Sequence, residues 1–349
     1  MLVTAEAKTP SERLHGLDFA RFLAFAGMVF VNFHVVTGSG SGRLWATGFL
    51  TSLEGKAAAT FVVLAGVGLG LGAQRDASRK FSILTLQRAL FLFVIGLINS
   101  LIFPADILHY YAVYFVVGLL FIRRSTRTIL IVALVLPLVF IALLFLIDYE
   151  AGWNWETFDY AGFWTPSGFV RNLLFNGWHP LVPWMSFLLM GFVLARLKLG
   201  EATIQKKLTL CGALALGAAY ALSFVLSSDP ELAELVSVSP IPPGPLYMLA
   251  GAGAAALSIG FCLWVFRGGV VSWLEPFTRT GKQALSLYIL HILIGMGVLE
   301  GLGMLDGQSA ETAIIAASLF IIVSVIYVMV WSRFFKAGPF EWLMRRVTG

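Results

Sequence analysis

Ten apolar stretches, of roughly the length needed to cross the 30 Å of hydrocarbon in a bilayer, dominate the sequence. Only 12% of the 349 residues are charged, against roughly a quarter in soluble domains. The sequence therefore predicts one all-α polytopic membrane domain over residues 1–349, with about ten transmembrane helices. The stretches occupy residues 17–36, 57–73, 83–103, 107–122, 127–147, 181–197, 206–226, 245–266, 283–305 and 311–332.

The basic residues are distributed unevenly over the loops between these stretches. With the N-terminus inside, all lysines and arginines except Arg43, Lys56 and Arg171 lie on the inner side. Because inner loops are enriched in Lys and Arg, this asymmetry predicts an N-in and C-in orientation, with residues 1–16 and 333–349 in the cytoplasm. The net charge of +5 therefore reflects topology, and no nucleic-acid partner is predicted.

No segment of the chain is predicted to fold as a separate soluble domain. The first apolar stretch follows a polar N-terminus and has no small-residue cleavage site, so a cleaved signal peptide is not expected. The longest loop, residues 148–180, lies outside and is too short to fold alone. Its many aromatic residues are typical of a belt at the headgroup level, or of a platform for a sugar or a cationic head group.

The first apolar stretch carries three polar residues on one face. On a helix, Asp18, Arg21 and Asn32 fall within about 60° of one another, and Asn32 lies roughly 17 Å beyond the charged pair. Polar groups in a span are costly unless they face the bundle interior or a wet cavity. The face is a candidate functional site, and the alternative is an Asp18–Arg21 ion pair plus an asparagine that joins helices.

Three of the five histidines are predicted on the outer side, namely His34, His109 and His179. An imidazole can act as a general base near neutral pH, and Asp106 is placed to orient His109. His34 shares a site with Asn32 only if the first helix ends there, as the GSGSG segment at 38–42 suggests. The alternative for each is a hydrogen-bonded interfacial residue. No metal is predicted, because no two histidines have the local spacing of a zinc site.

Two further features lie inside predicted spans. His291 is expected near the middle of the membrane, as a proton-relay or core-facing residue or as a residue bonded to a backbone carbonyl of a neighbouring helix. Gly66, Gly68, Gly70 and Gly72 form overlapping GxxxG pairs, which predict a surface for close helix packing.

The sequence resembles the transmembrane acyltransferase superfamily, which includes heparan-alpha-glucosaminide N-acetyltransferase. The resemblance begins with GLDFARFLAFAGMVFVN at 16–32 and extends over most of the chain. It is closest to an uncharacterised group of bacterial inner-membrane proteins related to that enzyme. The further matching blocks lie at residues 54–71, 105–120, 178–196, 281–291 and 338–346.

The resemblance implies acyl transfer across a bacterial cytoplasmic membrane. Acyl-CoA would be the co-substrate, and a cell-envelope sugar, glycan or small molecule would be the acceptor. Asp18 and Arg21 would lie where CoA enters, since guanidinium suits phosphate. Asn32 would stabilise the developing oxyanion, with His34 as the first choice of base and His109 or His179 as alternatives.

One departure from the family pattern concerns the catalytic histidine. The heparan enzyme carries it about a dozen residues after the asparagine, where this chain has Arg43. The role must therefore pass to another histidine or be absent. Two other functions stay open at this point, a transporter or flippase of a small or lipid-linked solute and a non-catalytic partner subunit. The oligomeric state, including a homo-oligomer, is also open.

Overall fold

The computed structural model describes residues 13–38, 41–229 and 233–349, and most of these residues are helical. A helix occupies each of the ten predicted stretches, which confirms the all-α fold class. The helices are α1 (His15–Val36), α2 (Leu44–Leu53), α3 (Lys56–Arg75), α4 (Arg79–Asn99), α5 (Leu108–Phe121), α6 (Thr126–Leu146), α7 (Pro166–Arg171), α8 (Leu181–Ala195), α9 (Ala202–Leu226), α10 (Pro245–Val265), α11 (Glu275–Gly281), α12 (Ala284–Leu290), α13 (Gly297–Gly301), α14 (Ala310–Trp331) and α15 (Pro339–Thr348).

Among the described residues, 8 helices are long and apolar enough to cross a membrane. The number rises to 9 if the pair Pro166–Asn176 and Leu181–Ala195, bent by 52°, is counted as one span. The helix α5 is apolar but has only 14 residues, because turns occupy residues 100–105 before it. The chain is thus a polytopic membrane protein with slightly fewer full-length spans than the ten predicted.

Local sequence signals account for several helix boundaries. The side chains of Ser125, Thr165 and Ser309 each accept a hydrogen bond from a backbone N–H in the first turn of α6, α7 and α14, which satisfies a donor that a helix start leaves unpaired. Proline begins α10 and α15, where its missing N–H costs no hydrogen bond.

Residues 148–180, which the sequence predicts on the outer side, have a defined structure. A short hairpin pairs β1 (Trp153–Asn154) with β2 (Asp159–Tyr160) in antiparallel register. The helix α7 follows and continues into a π-helical turn, Asn172–Asn176. The chain then bends sharply before α8 begins, and this bend directs residues of the segment toward the interior of the bundle.

The helices α3 and α8 pack closely through glycines. A Cβ atom added at Gly66 would lie 2.3 Å from the backbone oxygen of Leu188, and one added at Gly191 would lie 2.3 Å from that of Val63. Gly70 of α3 faces Ala195 of α8. The predicted packing surface is therefore confirmed at Gly66 and Gly70. Gly68 and Gly72 have other neighbours, the guanidinium of Arg21 and the ring of Phe81.

We predict that Gly66→Ala destabilises the bundle. The backbone oxygen that a new Cβ would meet cannot move without shifting α8, so the cost is about 1–3 kcal/mol. Thermal unfolding of the purified protein in detergent measures it as a lower Tm. The matched control is Gly217→Ala in α9, where a Cβ has nothing within 4 Å. Equal Tm values for the two variants would contradict the packing.

Candidate functional site

Two cavities lie along α1, and we name them by the predicted orientation. The inner cavity has a volume of about 640 Å³ and the outer cavity about 250 Å³. Arg21, in the first half of α1, lines the inner cavity, and Asn32, near its end, lines the outer cavity. The polar face predicted on the first helix therefore contacts both cavities.

The inner cavity is strongly basic. Its lining contains two carboxylates, and both are engaged: Asp18 accepts hydrogen bonds from Arg13 at 3.0 Å and Arg21 at 2.8 Å, while Glu341 accepts from the backbone N–H groups of Leu285 and Ser286. The surplus of positive charge makes this cavity a site for an anion. Six cationic residues line it, namely Arg13, Arg21, Arg88, Lys282, Lys336 and Arg345.

Two polar atoms of the inner cavity have no hydrogen-bond partner among the described residues. They are Nε of Arg88 and the hydroxyl of Tyr111, both buried. Buried hydrogen-bond donors normally have an acceptor. Two donors without one, lining the same cavity, indicate a ligand or ordered water there. The surroundings of Tyr111 are apolar, with Leu92, Phe115 and Ile107 among the lining residues. The cavity thus combines basic groups with an apolar region.

The outer cavity is smaller and carries different polar groups. Asn32, Glu54, His179 and Tyr288 are among its lining residues. Three ring nitrogens from residues of this lining are buried without a partner in the described part of the chain: Nε1 of Trp178, Nδ1 of His179 and Nε1 of Trp184. Such a set fits a ligand with hydroxyl or amine groups.

His291 holds the amide of Asn32. The Nδ2 atom of Asn32 lies 2.9 Å from Nε2 of His291, and Nδ1 of His291 contacts the backbone oxygen of Tyr288. Since a carbonyl only accepts, Nδ1 carries the proton and Nε2 accepts from the asparagine in the assigned network. His291 is fully buried, and its hydrogen bond holds the amide of Asn32 at the cavity wall.

A buried carboxylate organises the region between the cavities. Asp106 accepts hydrogen bonds from the Asn99 amide at 3.1 Å, the Leu108 N–H at 2.8 Å and the Tyr288 hydroxyl at 3.2 Å. The Tyr288 oxygen in turn accepts from the N–H of Ile107 at 3.1 Å. These contacts join the end of α4, the start of α5 and α12, and they fix Tyr288 at the wall of both cavities.

The four predicted catalytic residues do not lie at one site. Asn32 and His179 line the outer cavity together. The condition under which Asn32 and His34 would share a site, an end of α1 at His34, is not met, because α1 is helical to Val36 and a two-residue step places the side chains about 200° apart. His34 instead lies with Nε2 3.7 Å from Oε1 of Glu54.

His109 lies outside the lining of both cavities. It is buried, with Nδ1 3.7 Å from Oδ2 of Asp106, so the predicted proximity of these two residues is present. Its ring packs against Tyr110 and, at 6.0 Å, against Phe163 of the segment 148–180. Among the described residues there is no group of three or more His, Cys, Asp or Glu that could hold a metal ion.

Sequence reasoning missed the partner of Asn32 and the unpaired donors of the inner cavity. His291 was recognised as a buried polar residue, but not as a neighbour of α1. Tyr288 lies three residues before it in the same helical stretch, a spacing that places both on one face. Arg88 was interpreted as a topology signal, although a charged residue inside a span is also a signal for a cavity.

The fold and the site together define a class: a polytopic membrane protein in which a basic cavity and a polar cavity meet at a buried hydrogen-bond network. Residues 13–230 match the family model described as "Heparan-alpha-glucosaminide N-acetyltransferase, catalytic". Because this match covers more than half of the chain, the protein belongs to this family of transmembrane acetyltransferase-like proteins.

Other comparisons extend the match to the rest of the chain. Residues 193–349 match a family described as a protein of unknown function, DUF418. The chain is also 23% identical over 336 residues to the "Uncharacterized protein YxaH" of Bacillus subtilis (strain 168), an alignment that covers 85% of this chain and 80% of that protein. No solved structure matches the chain.

We predict that the two cavities open to opposite sides of the membrane. In a Cys211→Ser background, a membrane-impermeant maleimide should label Glu54→Cys only from the outer side and Lys336→Cys only from the cytoplasmic side. Right-side-out and inside-out vesicles measure the two accessibilities separately. Cys262 is buried, so the background variant serves as the unlabelled control. Labelling of both positions from one side would contradict the topology.

Proposed function

We propose that the protein is an acyltransferase of a bacterial cytoplasmic membrane. It transfers an acyl group, principally acetyl, from cytoplasmic acyl-CoA to a hydroxyl or amine of a cell-envelope acceptor such as a sugar or glycan. The observation that carries the proposal is the juxtaposition of a basic cavity and a polar cavity at one wall, in a chain of the acetyltransferase-like family.

The lining of the inner cavity suits acyl-CoA. Guanidinium and ammonium groups at its basic part bind phosphates, and the unpaired Nε of Arg88 is a donor available for one of them. The apolar region near Leu92 and Phe115 suits the largely uncharged pantetheine arm. The unpaired Tyr111 hydroxyl provides a hydrogen bond within this region.

Asn32 is the residue that we assign to the thioester carbonyl. One amide hydrogen is used on His291, and the second remains for an oxygen in the outer cavity. An N–H held in a fixed position stabilises the negative charge that develops on the carbonyl oxygen during attack. His291 is a positioning residue in this scheme, because it touches Asn32 and lies outside the lining of the cavity.

His179 is the residue that we assign as general base. It lines the same cavity as Asn32, and its Nδ1 has no partner among the described residues. His179 accepts the proton of the acceptor hydroxyl or amine while that oxygen or nitrogen forms a bond to the acyl carbon. The carbon–sulfur bond then breaks, and CoA leaves on the inner side as the thiol after taking up one proton. His34 and His109 lie outside this cavity lining.

A transporter is the second candidate, and one observation favours it. The span that ends in α8 is bent by 52° at residues 177–180, and discontinuous helices are typical of transporter substrate sites. In this chain the bend brings Trp178 and His179 to the outer cavity, as an acceptor site also requires. Turnover of a thioester distinguishes the two functions, since a transporter leaves the carbon–sulfur bond intact.

We predict a split between kcat and KM for variants of the two cavities. The assay measures thiol release from acetyl-CoA by the full-length protein in nanodiscs, with glucosamine as the acceptor probe. Hydrolysis, in which water is the acceptor, also counts as turnover. Asn32→Ala should lower kcat about 10²–10³-fold and His179→Ala about 10²–10⁴-fold, with little change in KM. Arg88→Ala should raise KM, because it removes a phosphate contact and leaves the chemistry unchanged.

Matched controls separate these effects from general damage. His15→Ala and Arg127→Ala replace the same residue types outside both cavity linings and should keep the wild-type constants. Tm values report folding for every variant. Wild-type turnover by Asn32→Ala, or failure of the wild-type protein to bind acetyl-CoA in a calorimetric titration, would refute the proposal.

A further inference from the structure

Two residues, Ile107 and Tyr288, line both cavities. A hydrogen bond joins them: the backbone N–H of Ile107 donates to the Tyr288 hydroxyl at 3.1 Å. Both residues are buried, with 2% and 3% of their surface exposed. The pair therefore forms part of a wall that the basic cavity shares with the cavity that contains Asn32.

The pair is held rigidly on several sides. The Tyr288 hydroxyl donates to Asp106, whose carboxylate also binds Asn99 and Leu108. The backbone oxygen of Tyr288 is bound to His291. A ring fixed at its hydroxyl and at its backbone cannot swing aside without breaking buried hydrogen bonds. The space available at this wall is thus set by side-chain volume rather than by free rotation of the tyrosine.

We infer that the Ile107–Tyr288 pair is a size filter that determines which acyl groups reach Asn32. This inference rests on the proposed acyl transfer and specifies its donor. The filter admits an acetyl group and rejects chains of about six carbons.

Ile107 is the residue of the pair at which size can be changed alone. Its side chain makes apolar contacts, and its polar contact to Tyr288 is made by the backbone. Ile107→Ala removes three side-chain carbons and preserves the N–H that holds the tyrosine. The substitution should therefore enlarge the space at this wall while Asp106, Tyr288 and Asn32 stay in place.

The experiment compares thiol release from acetyl-CoA and hexanoyl-CoA by the full-length protein in nanodiscs. Wild-type protein should have a higher kcat/KM for acetyl-CoA. In Ile107→Ala the ratio of hexanoyl to acetyl kcat/KM should rise about tenfold or more, which is the discrimination that a small change in an apolar pocket provides. Ile129→Ala is the matched control, because Ile129 is equally buried but lines neither cavity. Its ratio should equal that of the wild type.

The possible outcomes separate this inference from the proposed function. If wild-type protein turns over neither thioester and binds neither, the proposed function fails and the filter fails with it. If wild-type protein turns over acetyl-CoA and the ratio is the same in Ile107→Ala, the filter is wrong and the acyltransferase stands. Should Ile107→Ala not fold, Ile107→Val must move the ratio in the same direction, and an unchanged ratio overturns the inference.

Discussion

The carboxylate of Asp106 is the group on which the centre of this bundle depends. A charged or polar group inside an apolar bundle is tolerated only when its hydrogen bonds are satisfied. Asp106 meets this condition by accepting from Asn99, Leu108 and Tyr288, and in doing so it joins α4, α5 and α12. Tyr288 extends the network to His291 and, through it, to Asn32. One satisfied network thus fixes the residues to which we assign the chemistry.

The two cavities differ in charge. Cationic residues surround the inner cavity, while the outer cavity carries an amide, an imidazole and indole nitrogens. A phosphate-bearing donor is attracted to the first, and a neutral or hydroxyl-bearing acceptor fits the second. Under the proposed function, the separate cavities hold the two substrates on opposite sides of the membrane until they meet at the wall, so that neither substrate has to cross the bilayer.

Patterns that repeat along the chain were predictable from sequence, whereas contacts between distant segments were not. Apolar length predicted every long helix, and glycine spacing predicted close helix packing at Gly66 but not that α8 is the partner. Asn32 was identified by its position on the polar face of α1, but its partner His291 is 259 residues away, and a single sequence carries no signal for that pairing. His34 follows Asn32 by two residues within α1, which is helical to Val36, so the two side chains lie about 200° apart and do not share a site.

The most direct test of the account is a cryo-electron microscopy map of the protein with saturating acetyl-CoA. The account predicts density for the CoA phosphates among the basic residues of the inner cavity, with one phosphate beside Arg88. It predicts the thioester at the Ile107–Tyr288 wall, next to the amide of Asn32. An inner cavity without CoA density, or CoA bound at another place on the protein, would contradict it.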